Sequence, residues 1–168
     1  MVRLFVQPDT PPQKDCRTFT QRLHVRDAVA TVDATYARGV FSAEAFVCAT
    51  RPVAVIDVRD TRPGASGLTG VLTSWRIRLG GSENARILAR DGHIAFEQTF
   101  SHEGYSLRYV VALGAAGKAS ASRGGDDPRF ATVRAALDGD GRAVLLAAVA
   151  MTHDPNADVH AMAAAELA

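Results

Sequence analysis

Between residues 85 and 122 the chain alternates apolar and polar side chains in runs separated by turn-forming residues, and no other stretch limits the possible folds as much. Residues 85–90 lead into Asp91-Gly92, a dipeptide that favours a tight hairpin because both positions tolerate positive φ. In residues 93–100, Ile94, Phe96, Gln98 and Phe100 fall on one side and Ala95, Glu97 and Thr99 on the other, the period of a half-buried strand. Residues 101–104 read as a turn and 105–113 as the next strand; after a break at 114–117, residues 118–123 read as a last short strand. Strands joined by such short turns pair antiparallel, so this stretch predicts a curved meander.

The residues before it predict helices. Leu4-Phe5-Val6 is followed by Pro8, Pro11 and Pro12, which deny backbone donors and hold residues 1–16 extended as an arm. Val29, Val32 and Tyr36 recur at helical spacing behind Asp27, a suitable N-cap, and Gly39 suits a C-terminal cap, so 27–37 reads as a helix. Ser42 opens a second short helix with Ala45, Phe46 and Ala49 turned inward, stopped at Arg51-Pro52. Residues 53–58 (VAVIDV) are dense in β-branched side chains and read as a buried strand whose one charge is Asp57. Residues 59–70 are loop, and 72–79 fit strand or helix equally.

Past residue 125 the composition shifts. Pro128 is tolerated in a first helical turn, and Phe130, Val133, Ala136 and Leu137 make one stripe, giving a helix over 128–137. The apolar run 143–151 suits strand or helix, and the alanine-rich 157–167 suits a helix. The organisation is then a Pro-rich arm over 1–16, an α+β domain over 17–125 and a mostly helical extension over 126–168.

Composition removes several function classes. At 168 residues, 47% hydrophobic and 22% charged, the chain is long enough to bury a core. A net charge of +1 creates no field for nucleic acid or an anionic membrane. No run approaches the ~18 apolar residues of a membrane span, and residues 1–16 lack the pattern of a signal peptide. A cytoplasmic protein with neither kind of partner is expected. Cys16 and Cys48 lie far apart without a CxxC pair, which excludes a metal ribbon or a disulfide scaffold. His153, Asp154, Asp158 and His160 carry ligand chemistry, but their spacing and Pro155 do not form a compact site, so no metal and no cofactor is expected.

Three stretches carry a family likeness: 34–41 (ATYARGVF), 53–70 (VAVIDVRDTRPGASGLTG) and 94–114 followed by Gly117-Lys118. In the order helices, acid-bearing strand, loop and meander, residues 27–123 resemble the NTF2-like superfamily, which includes SnoaL-like polyketide cyclases and ketosteroid isomerases. The resemblance implies an α+β cone, its curved antiparallel sheet packed on N-terminal helices, with a pocket at the open end. It places Asp57 where the isomerases keep a proton-transferring carboxylate. Val32 stands where that branch has an oxyanion-hole tyrosine, and Tyr109 where it has a protonated acid, so the isomerase reaction itself is not implied.

The candidate chemistry follows. Asp57, in an apolar strand, is a candidate general base and Tyr109 a candidate donor; the competing reading pairs Asp57 with Arg59, Arg62 or Arg76, or has it mark the strand's exposed face. Val32, Tyr36, Trp75, Phe96 and His102 are the candidate lining of a pocket for a small apolar organic molecule. The expected function is a small-molecule pocket protein with isomerase, cyclase or lyase chemistry; the alternative is a non-catalytic homodimeric binding or assembly module. The two part on whether Asp57 and Tyr109 share one cavity.

Overall fold

A computed structural model of the chain describes residues 2–10, 14–74, 85–90, 92–124 and 127–168. Its strands are β1 (Val2–Pro8), β2 (Thr18–His24), β3 (Val29–Thr35), β4 (Val40–Val47), β5 (Val53–Asp60), β6 (Gly67–Ser74), β7 (Ala85–Arg90), β8 (His93–His102), β9 (Tyr105–Ala115), β10 (Ala119–Gly124), β11 (Asp127–Ala136) and β12 (Arg142–Thr152), followed by helix α1 (Val159–Leu167). They form two antiparallel sheets. A small one has the order β1-β6-β11-β10 and a large one the order β2-β3-β4-β5-β12-β9-β8-β7.

This is a two-layer β-sandwich, and it overturns the expected α+β cone together with the NTF2-like, SnoaL-like resemblance. Residues 27–37, read as helix, are a β-turn with Ala28 at φ 53 followed by β3. The second expected helix falls on β4, and the expected helix over 128–137 falls on β11, which ends at Ala136. The periodicity misled because alanine serves both patterns. In β11 the inward set is Ala131, Val133 and Ala135, all buried, so the strand's alternation is carried by small side chains that also suit a helix. The run 143–151 lies in β12, between β5 and β9, and over 143–148 its side chains are buried or half-buried on both faces, whereas Val149 and Met151 are exposed. The expected arm is in part β1, whose Leu4 and Val6 pack on the core. Neither β11 nor β12 is an appendage, since each lies inside a sheet. The alanine-rich end does form a helix, α1.

Within 85–122, β7, β8 and β9 pair as a meander, and Glu103-Gly104 makes the second turn, both residues at positive φ. Gly92 has φ 75; Asp91 lies outside the described residues. The chain then leaves the large sheet, and β10 pairs with β11 in the small one.

The core lies between the layers. Leu68, Leu72 and Val133 of the small sheet oppose Ile94, Phe96, Leu113 and Leu145 of the large one, all fully buried. Each such Leu, Ile or Phe contributes roughly 1.5–3 kcal/mol. Gly70 lets the layers close: a Cβ there would stand 2.7 Å from Leu113 Cδ2. On the outside of the large sheet α1 covers Ala95, Val110, Ala112 and Ala150 with Val159 and Ala163. Asp158 caps the helix by accepting from the His160 and Ala161 amides.

Candidate functional site

Strand register decides which side chains can meet. Asp57 stands opposite Val144 and Tyr109 opposite Met151, both on β12. Residues 144 and 151 are seven apart on one strand, so their rows point to opposite faces of the sheet. Asp57 and Tyr109 therefore share no cavity.

The Asp57 face carries an open groove of about 660 Å³ on the outside of the large sheet, lined by Thr31, Asp33, Glu44, Arg59, Asp140 and Arg142, among others. Neighbouring rows of the ladder build it: Thr31–Glu44–Asp57 and Asp33–Ser42–Arg59–Arg142. Arg142 grips Asp57 with two donors, Nε to Oδ1 at 2.8 Å and the terminal nitrogen to Oδ2. Those bonds hold the Asp57 carboxyl below the ordinary aspartate value, against a smaller upward push from burial. A carboxylate stabilised in its charged form is a poor proton acceptor near neutral pH.

Tyr109 faces inward. Its hydroxyl donates to Gln98 Oε1 at 2.8 Å, and its ring lies 5.8 Å from both Phe96 and Phe100. Phe96 is fully buried in the core. Val32 shares the inward face, opposite Ala43. Tyr36 is buried at a corner, its ring 5.0 Å from the Arg62 guanidinium. His102 ends β8, opposite Tyr105, and Trp75 lies outside the described residues. The nominated residues are thus scattered over a groove, a core and a corner.

Two charged clusters escaped the sequence. Glu97, on the outward face of β8, is buried and accepts from Arg86 Nε at 2.7 Å, Arg108 at 3.1 Å and His160 Nε2 at 2.8 Å. Burial pushes its carboxyl up, but the bonds from His160, Arg86 and Arg108 outweigh that and hold it at about 2. At the corner, Arg62 binds Asp60 with two donors at 2.8 and 2.6 Å, both side chains being 1% exposed, and also reaches the Thr10 carbonyl at 3.0 Å. The alternation of 93–100 already set Glu97 apart from the core row. Nothing in the sequence pointed to partners as remote as His160. His153 bonds across to the Ser106 carbonyl of β9, Asp154 makes a local bond to the Asn156 amide, and His160 is turned to Glu97.

No family model matches the sequence, and no curated protein matches it. Among solved structures the chain is similar to a bacterial glucoamylase complexed with acarbose, at 10% identity and a TM-score of 0.49. The likeness covers 99% of this chain and 28% of that one, so the chain spans little more than a quarter of the enzyme's length. Among the described residues no helix is long and apolar enough to cross a membrane.

Proposed function

We propose that this chain is a non-catalytic binding module whose working surface is the half of the large sheet lying beyond the small one. The observation that carries this is the separation of Asp57 from Tyr109 by the sheet, with Asp57 engaged by Arg142. The groove around Asp57 is lined with charges, unlike a site for a small apolar molecule. The apolar surface lies elsewhere: Phe19 and Leu23 of β2 and Val47 of β4 are 65%, 70% and 64% exposed on the inward side of the sheet. Apolar side chains exposed together on one face of a sheet support an interaction surface. The reading is tested by following the Asp57 side-chain carbon by NMR during an acid titration. A midpoint below the ordinary aspartate range is expected. A midpoint raised towards neutrality would return Asp57 to the role of base and end the reading.

A further inference from the structure

The partner of this surface can be read from β2 itself, on the assumption that the module reading holds. Among the described residues β2 pairs with β3 alone and closes one end of the eight-stranded order. An edge strand offers a row of backbone donors and acceptors to another strand. The opposite edge, β7, is packed against β10 and β11 of the second layer. We infer that β2 pairs antiparallel with β2 of a second copy, about a two-fold axis through Gln21.

Side-chain matching selects that register. Phe19, Gln21 and Leu23 point inward, in the rows of Ala34, Val32 and Ala30, and Thr18, Thr20, Arg22 and His24 point outward. Antiparallel self-pairing keeps the inward faces of both copies on one side only when the axis passes through a residue rather than between two. Centred on Gln21, it sets Phe19 against the second copy's Leu23, twice by symmetry, Thr20 against Arg22, and Thr18 against His24. Apolar meets apolar, and no like charges are opposed. Centred on Thr20, it sets Phe19 against Gln21 and Arg17 against Leu23. Centred on Arg22, it sets that guanidinium against its own copy. The strand is self-complementary in one register.

The assembly is isologous, with the two large sheets continued into one and each exposed Phe19 side chain brought into lateral contact with the second copy's Leu23. A seven-residue edge falls short of the ~800 Å² per partner typical of stable complexes, so a concentration-dependent equilibrium is expected rather than a permanent dimer.

The test uses the full chain in sedimentation velocity over a wide concentration range at low salt. Thr20→Lys sets an ammonium against the second copy's Arg22 twice and is expected to weaken association by about tenfold. Adding Arg22→Glu to Thr20→Lys turns both contacts attractive and is expected to restore it. Arg22 is exposed, and Thr20 is half-buried beside Asp33 of β3, which supplies an acid for the new ammonium, so the monomer tolerates the lysine. In a Cys16→Ser, Cys48→Ser background, Gln21→Cys is expected to form an intermolecular disulfide under mild oxidation. A chain that stays monomeric overturns the inference, as does association indifferent to Thr20→Lys. Neither result moves the Asp57 titration, on which the module reading stands or falls separately.

Discussion

Glu97 meets two arginines and a histidine on the outside of the large sheet, and its ionisation ties α1 to β7, β8 and β9. Its carboxyl sits at about 2 in the folded chain, below the ordinary 4.5. A folded value lowered in this way gives stability that is fully present above about pH 4.5 and is lost as the pH falls towards 2. Urea midpoints of the wild type are therefore expected to drop through that window. Glu97→Gln keeps an acceptor but leaves Arg86, Arg108 and His160 around a neutral group, at a cost on the order of 2–3 kcal/mol at pH 6. Its midpoint is expected to vary less between pH 4.5 and 2; an equally steep fall would assign the acid response to other carboxylates. At this scale the sequence was least informative. Asp57 stood out in VAVIDV as a lone charge, but the arginines considered for it were near in sequence, whereas its partner, Arg142, reaches it across the β5–β12 ladder. Arg62, one of those considered, is committed to Asp60 instead.

Between β3 and β4 the connection is set by a corner in which Arg62, Asp60, Tyr36 and Phe41 pack together. Gly39 passes beneath it at φ 97, and a Cβ there would stand 2.5 Å from the Thr61 carbonyl oxygen and 2.8 Å from Arg62 Cα. Gly64 has a similar φ of 80 but open space around it. Gly64→Ala is expected to cost only the left-handed backbone penalty, ~1–2 kcal/mol. Gly39→Ala must in addition displace backbone held by the buried ion pair, so a loss at least about 2 kcal/mol larger is expected in chemical denaturation. Equal losses would mean that the corner yields freely. The sequence flagged Gly39 as a punctuation mark, which it is, but between strands rather than after a helix. The elements that were legible, β7 to β9, combine large inward side chains with polar outward ones. Those that were not, β3, β4 and β11, use alanine on the inward face, where pairing with neighbouring strands rather than propensity selects the strand.

Among the described residues the two layers are unequal, eight strands in one sheet and four in the other, and the long-range pairing of β1 with β6 and of β5 with β12 ties the chain's ends to its middle. Such pairings are invisible to local pattern, which is why the meander could be read and the second layer could not. The asymmetry divides the stability. β12, β9 and β8 lie between the small sheet on one side and α1 with the Glu97 cluster on the other, and Val110, Ala112, Leu113 and Leu145 are at most 1% exposed. β2 keeps Phe19 and Leu23 in solvent, and β3 has one buried residue, Ala34, along its length. Few buried apolar contacts mean a low free energy of local opening. In hydrogen exchange on dilute protein, the amides of β2 and β3 are expected to exchange through local opening, well before those of β9 and β12, which require global unfolding. Raising the protein concentration should then slow exchange along β2 first, because self-pairing occupies the outward-facing donors of that edge. Uniform protection across all eight strands would show that the uncovered half of the sheet is as firmly held as the sandwich, and that its exposed apolar face costs the monomer little.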